Sequence, residues 1–241
     1  MRIFPSLRKR MGRVIGTGIG ALFLLGCGLI FTLLLAPRQK LEALRIERLP
    51  TLDAEDVGGV SPGEELMVTG YVRGDSLPEV DQFVAYEVEE WVVTPPDPAT
   101  PDAEPEGEWV TDQEEIPPLA LRIKGETVGL LAGENVRLSG SLHEKLILSE
   151  NNQTATNEDG LLPGGSLRYK GLYDGDLVTV WGKKASNGDI LPEEYFAGDR
   201  VAFEESKHSA AQGLLIGGIC MLTLAPVVLT GGILSALFSR R

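Results

Sequence analysis

Few residues in this chain are equipped for covalent or metal chemistry, and their spacing does not favour it. Two histidines, His143 and His208, and two cysteines, Cys27 and Cys220, are all the imidazoles and thiols in 241 residues. A zinc site needs three or four nitrogen, sulfur or carboxylate ligands on one centre, and both cysteines sit inside long apolar runs. A hydrolytic nucleophile needs a base within hydrogen-bond reach. His143, in Ser141-Leu142-His143-Glu144, alternates onto the polar side of a predicted strand, where solvent is the expected neighbour. Asn157-Glu158-Asp159-Gly160 and Asp174-Gly175-Asp176 carry oxygens that suit calcium. Neither follows the twelve-residue calcium loop, and both read as turns. No Gly-Lys-Ser/Thr phosphate loop occurs. Asn152-Gln153-Thr154 is a glycosylation sequon, meaningful in a eukaryotic secretory setting. The expectation is a chain with no catalytic, cofactor-binding or metal residues, leaning away from an enzyme. The enzymatic rival is a site assembled from dispersed Asp, Glu and Tyr, and its mark would be paired carboxylates of raised pKa in a cleft.

The elements that must position any site are unevenly distributed. Val14 to Ala36 and Ser209 to Ser239 contain no charge. Each exceeds the roughly 20 apolar residues that cross a bilayer core, so residues 14–36 and 210–238 are predicted transmembrane helices. The first is too long for the apolar core of a signal peptide, and Leu33-Leu34-Leu35-Ala36-Pro37 offers no small-residue cleavage pattern. Leu24-Leu25-Gly26-Cys27 faintly resembles a lipoprotein signal, but the apolar run continues past the cysteine. Arg2, Arg8, Lys9, Arg10 and Arg13 precede the first segment, and Arg240 and Arg241 follow the second. Basic flanks stay cytoplasmic, so the tails 1–13 and 239–241 are expected inside and residues 37–208 outside. Gly16-x-x-x-Gly20 and Gly213-x-x-x-Gly217 are small-residue faces on which the two spans could pack together or dimerise.

All 35 acidic residues lie between the apolar segments, with 15 of the 22 bases, giving that stretch a charge of −20. Such a surface argues against nucleic acid and against docking flat on anionic lipid. Arg38 to Leu49 has leucines spaced to continue the first helix outward until Pro50 ends it. Thr51 to Gly63 has turn composition. Strand patterns then dominate from about 60 to 206. Leu66, Val68 and Val72 share one face. In Phe83–Val93, Val84, Tyr86, Val88 and Val92 alternate with Phe83, Ala85, Glu87, Glu89 and Trp91, a face the glutamates turn partly to solvent. Further strands are predicted near 119–124, 128–131, 136–148, 178–183 and 200–203. Residues 94–107, with five prolines and four acids, and the polar stretch 150–165 read as loops, the first disordered. Tyr71, Tyr86, Trp91, Trp109, Tyr173 and Trp181 are expected to fill the core, unless a few cluster outside and mark a partner surface.

One phrase occurs three times. GEELMVTG (63–70), GENVRLSG (133–140) and GDLVTVWG (175–182) each read Gly, acid, any, Leu or Val, any, Val or Leu, any, Gly. The first glycine permits a turn, the aliphatics face a core, and the last glycine leaves room where the strand bends or another backbone approaches. Gly198-Asp199-Arg200-Val201-Ala202-Phe203 begins a fourth copy. Short curved strands of this kind point to an all-β domain, an OB-like, partly open β-barrel or a sandwich.

The order of these parts resembles the GIDE-type or "beside a membrane" domain. Gly63 to Val72 is similar to that family's opening strand, and Phe83 to Glu90 to its aromatic, glutamate-ending strand. Glu108-Trp109-Val110 followed by Pro118-Leu119-Ala120-Leu121 is similar to its Trp and Pro-x-x-Leu pairing. Glu126 to Leu130 and Leu172 to Gly182 resemble its later strands. The likeness covers about residues 60–206 and both flanking spans. It implies a membrane-anchored β domain, related to that of organelle-membrane ubiquitin ligases. In those ligases transfer depends on a zinc-binding RING after the second span. No Cys/His cluster is present here, so the resemblance brings no catalytic residue. The functional expectation is a non-enzymatic, membrane-anchored binding or scaffold module with a protein partner. The alternatives are an accessory subunit of a membrane protease or transporter, or a ligase relative without its RING.

Overall fold

The computed structural model describes residues 4–50, 52–80, 82–96, 103–133, 135–158 and 160–238, with side chains from 15 to 235 within those ranges. The chain divides into a helical unit, 1–48 with 204–241, and a β unit, 49–203. The basic side chains of both tails, the middle of the proline-rich stretch (97–102) and Asp159 lie outside the described residues.

In the helical unit, α1 (Phe4–Ile30) continues through a π-turn, Phe31–Leu35, into α2 (Ala36–Glu47). The widened turn falls just before Pro37, near the start of α2. Proline lacks an N–H and crowds the carbonyl four residues back, and a local π-turn relieves that conflict without ending the rod. The helix stops at Glu47, ahead of Pro50, as the sequence indicates. The second long helix, Arg200–Phe238, contains Pro226. Thr230 donates its hydroxyl to the Pro226 carbonyl at 2.9 Å. Both helices are long and apolar enough to cross a membrane. Only 17% and 11% of their most apolar stretches are buried. The core helix of a soluble protein would be mostly covered, whereas these apolar side chains face outward.

The two helices run antiparallel, since contacts on one descend in number as they rise on the other. A Cβ at Gly28 would meet Leu222 at 2.8 Å, one at Gly218 would meet Thr32 at 2.9 Å, and one at Gly232 would clash with Thr17. Glu42 pairs with Lys207 at 3.6 Å and Glu47 with His208 at 3.7 Å. A Cβ at Gly16, Gly20, Gly213 or Gly217 would meet nothing within 4 Å. The expectation that those four bring the spans together is therefore corrected: Gly28, Gly218 and Gly232 do so, and the two Gly-x-x-x-Gly faces point away.

The β unit opens with a short helix, α3 (Ala54–Gly59), where turns were expected. Asp53 and Asp56 form a capping box at its start, and Val57 is buried. Twelve strands follow: β1 (Glu65–Arg73), β2 (Phe83–Thr94), β3 (Glu106–Glu115), β4 (Leu119–Ile123), β5 (Glu126–Leu130), β6 (Arg137–Gly140), β7 (His143–Ile147), β8 (Thr154–Asn157), β9 (Gly160–Pro163), β10 (Leu167–Tyr173), β11 (Leu177–Lys184) and β12 (Ile190–Ala197). The helix Arg200–Phe238 is accordingly α4.

Five strands close a barrel in the circuit β1–β4–β5–β12–β11–β1. Every pairing is antiparallel except β5–β12, which is held at one parallel bridge, Ile190 to Leu130. This is the five-stranded, partly open barrel of the OB type. The core of the barrel includes Leu66, Val68, Leu121, Leu130, Val180 and Tyr195, all at most 1% exposed. Full burial of each aliphatic side chain is worth about 1.5–3 kcal/mol. The repeated phrase has a structural meaning. Its first and third copies are β1 and β11, paired directly from Glu65–Lys183 to Tyr71–Leu177. Gly63 and Gly175 adopt φ +85° and +90° in the turns that feed those strands. The closing glycines Gly70, Gly140 and Gly182 each sit where a Cβ would strike a neighbouring backbone carbonyl, of Arg122, Ala197 and Leu191.

A four-stranded sheet, β3–β2–β10–β7, is inserted between barrel strands, and β8–β9 forms a separate hairpin. The polar stretch 150–165 is thus partly strand. Residues 136–148 are two strands in different sheets, broken after Gly140, where φ is +86°. Thr94 pairs with Glu106, so the ends of the expected 94–107 loop belong to the β2–β3 hairpin. Opposite Val88/Glu89, β3 bulges at Asp112; along β2 Trp91 is buried and Val92 exposed because Ala155 and Leu162 cover the Trp91 face.

The fourth copy of the phrase is a correction. Arg200 to Phe203 is the first turn of α4, because the Asp199 carboxylate accepts from Ala202 N–H at 2.8 Å and caps the helix. Phe203 packs against Phe196 of β12, with ring centres 5.2 Å apart. Arg200 donates from Nη2 to the Leu49 carbonyl at 2.6 Å, tying the end of the β unit to its beginning.

Candidate functional site

The inserted sheet concentrates the polar chemistry of the β unit. On one of its faces, Glu89 of β2 lies opposite Arg168 of β10, with Lys170 two residues further along β10. Glu89 Oε2 accepts from Arg168 Nε at 2.7 Å, and lies 2.5 Å from Arg168 Nη2 and 3.0 Å from Lys170 Nζ. Burial works to raise the Glu89 pKa, but the hydrogen bonds and charges of Lys170 and Arg168 outweigh it and hold the carboxyl below its ordinary value. Glu87, on the same face, is pushed the other way by its own burial and then by the charge of Glu89. The glutamates expected to face solvent are therefore half-buried and engaged with the two cations. The Arg168 guanidinium also lies over Trp109, 4.3 Å from the ring centre, and Trp109 tilts against Trp91 at 5.1 Å. Trp91 is covered by Ala155 and Leu162 of the β8–β9 hairpin.

On the opposite face Phe83, Tyr86, Val88 and Tyr169 form a second small core. The Tyr86 hydroxyl lies 3.0 Å from Glu79 Oε2 and 2.6 Å from Glu115 Oε2. One O–H donates to one carboxylate at a time, so the phenol is held between two acceptors. Burial, and then these carboxylates, push its pKa well above the ordinary phenol range. It is a fixed donor, not a base.

The two edges of this sheet differ. The β3 edge, EGEWVTDQEE, carries five acids in ten residues, the kind of charge that blocks pairing with another chain. The β7 edge, HEKLI, carries Glu144 and Lys145 in its first half and turns apolar at its end. All five of its residues are exposed. Leu146 and Ile147 are 49% and 43% exposed, and Leu148, just beyond, is 62% exposed. Leu146 lies opposite Arg168 of β10. Among the described residues β7 is paired only with β10, on one side.

The residues singled out for chemistry are dispersed. His143 stacks on Tyr173 with ring centres 3.9 Å apart, and its Nε2 lies 3.2 Å from Asp176 Oδ1. Asp176 also accepts from Tyr173 N–H at 2.7 Å, and Asp174 pairs with Arg73 at 2.6 Å, so the Asp-Gly-Asp segment is a strand-connecting turn. Asn157 and Gly160 close the β8–β9 hairpin. Among the described residues no three His, Cys, Asp or Glu side chains gather as a metal site. Tyr71 is 49% exposed next to Leu177, its strand partner, while Tyr86, Trp91 and Trp181 are buried. Cys27 and Cys220 are free thiols on the long helices.

Two features escaped the sequence. Glu194, in the Pro-Glu-Glu of β12, is buried and held by Arg137 at 2.9 Å and Ser139 at 2.8 Å, which locks β6 onto β12. The β7 edge escaped because strand patterns show which residues alternate, not which strand lacks a neighbour. No protein-family model, curated protein or solved structure matches the chain.

Proposed function

We propose that this chain is a membrane-anchored, non-enzymatic binding module whose β domain takes up a segment of a partner protein along β7. The observation that carries the reading is the contrast between the two sheet edges: five acids along β3, against an exposed apolar run, Leu146 to Leu148, at the end of β7. Addition of a strand to such an edge supplies backbone hydrogen bonds, and alternate side chains supply specificity. Arg168, a residue type enriched at interface hot spots, lies opposite Leu146 on β10. The membrane anchoring is supported by two outward-facing apolar helices, and the basic tails favour termini in the cytoplasm with the acidic domain outside. The GIDE-type resemblance belongs to this proposal. Its segments 63–72, 83–90 and 172–182 fall largely on β1, β2, β10 and β11 of a β domain between two candidate spans. As a RING-less relative of the ligases, or as an accessory subunit of a larger membrane machine, the chain would act through the same edge.

The test places a photo-crosslinking amino acid at Leu146 in cells, with Leu161, exposed on the separate β8–β9 hairpin, as the control site. A defined partner captured at 146 but not at 161, and lost from the paired variant Leu146→Lys, Leu148→Lys, supports the edge as the binding surface. Equal capture by a chain that keeps both helices but lacks residues 60–206 would assign recruitment to the helices and refute the reading.

A further inference from the structure

The helical unit contains a crevice of about 250 Å³ between the two long helices, at the end of the first span next to the π-turn. That is about eight water volumes at roughly 30 Å³ each. Its walls are mostly short or apolar, Ala36, Pro37, Ala211 and Leu215, with the amide of Gln212 among them. Ala36 and Ala211 are nearly fully buried, so the two backbones approach there and leave a slot beside them. The rim is polar, with Lys40 on one helix and His208 on the other.

The charges at this level are unequally matched. Lys207 pairs with Glu42 and His208 with Glu47. Lys40 is exposed and has no ion pair or hydrogen bond among the described residues. The crevice therefore has one uncommitted cation at its mouth. From Lys40 down to Thr32 are eight residues, about 12 Å along the helix axis at 1.5 Å per residue. The headgroup layer occupies about 5–8 Å on each side of a bilayer. A slot of that depth begins among headgroups and ends in hydrocarbon. Soluble anions have no use for its apolar floor, and a neutral chain has no use for its cationic rim. An amphiphile with an anionic head and an alkyl chain satisfies both.

We propose that this crevice binds an anionic phospholipid, with Lys40 holding the headgroup phosphate and one acyl chain lying against Ala211 and Leu215. A lysine near the membrane surface attracts an anionic headgroup by about 1 kcal/mol. The inference rests on the two helices crossing a bilayer, and it assigns a ligand to the helical unit that is independent of the β7 edge.

The experiment is native mass spectrometry of the full-length chain, purified in mild detergent and offered phosphatidylglycerol, phosphatidylcholine of the same chains, or glycerol phosphate. Wild type is expected to retain phosphatidylglycerol about fivefold more than phosphatidylcholine, the preference expected of one lysine near a charged headgroup. Lys40→Gln should abolish that preference, and Leu215→Trp should remove both lipid adducts by filling the slot. Ala211→Leu fills the same slot and serves if the tryptophan variant does not fold. Arg38→Gln, whose side chain does not line the crevice, should behave as wild type. Adducts unchanged in both filling variants, or a preference unchanged in Lys40→Gln, overturn the proposal. Equal retention of glycerol phosphate would overturn it in favour of a free-anion site. Release of the chain from membranes by alkaline carbonate would instead sink the membrane-spanning reading, a different failure from an embedded chain that retains no lipid.

Discussion

Replacing Tyr195 by phenylalanine is expected to stabilise the β unit. Tyr195 lies inside the barrel with no exposed surface, and its hydroxyl has no hydrogen-bond partner among the described residues. A buried hydroxyl without a partner costs about 1–3 kcal/mol. Phenylalanine keeps the ring that packs between Val180 and Leu138, its strand partners, and loses only the oxygen. Allowing a few tenths of a kcal/mol for the small gap left behind, the expected gain is about 1 kcal/mol. For a unit of this size that corresponds to a rise of about 2–4 °C in Tm. All three tryptophans, Trp91, Trp109 and Trp181, lie in the β unit. Tryptophan fluorescence of the full-length chain in detergent during urea unfolding therefore reports that unit alone. The gain should also grow in alkali. Burial raises the Tyr195 phenol above its ordinary value of 10.0. As pH climbs past about 10 the unfolded phenol ionises first, so unfolding releases a proton and the wild type loses stability. The phenylalanine variant lacks that loss. A variant destabilised by 1 kcal/mol or more at neutral pH would show that the hydroxyl is satisfied, by an ordered water for example, and would refute the reasoning.

Three further outcomes follow from the packing. Gly28→Leu should disrupt the pairing of the long helices, whereas Gly213→Leu should leave it intact; disulfide trapping of cysteines placed at Thr17 and Gly232 reads the difference. Glu89→Gln leaves Arg168 and Lys170 without their anion and should cost about 2 kcal/mol in the fluorescence assay at pH 7. Because the folded Glu89 pKa is depressed, its contribution is present above the unfolded value of about 4.5 and fades as pH falls below it, so the gap between variant and wild type should narrow in acid. Asp199→Ala removes the cap of α4 and should cost about 1 kcal/mol, with Asp199→Asn recovering most of it.

The sequence was most informative where one physical cause dominates. The apolar helices follow from length alone, and their outward extension stops near Pro50 because proline cannot continue a helix. β1 and β11 were legible through their shared glycine-bounded phrase, and the close approaches at Gly70 and Gly182 explain why no larger residue stands there. Where two causes compete, the pattern misleads. Arg200 to Phe203 alternates like a strand, but the Asp199 cap and the long apolar run behind it draw those residues into α4. β12 contains Pro192 and two glutamates, a poor strand by composition. It is nevertheless central to the barrel, because Glu194 finds Arg137 and Ser139 and the bulge at Trp181/Gly182 accommodates the local irregularity. The acids of β3 hid a strand because an edge tolerates charge that a central strand would not. The β7 edge depends on which strands neighbour which, and that is decided by contacts far apart in sequence.

The Arg200–Leu49 hydrogen bond has a mechanical meaning. It joins the points at which the chain enters and leaves the β unit. Tension between the two long helices would load this clamp and the first turn of α4 before it reached the strand ladders. By the same geometry the domain can be excised at residues 49 and 203 and mounted on another helical hairpin with little distortion at the graft.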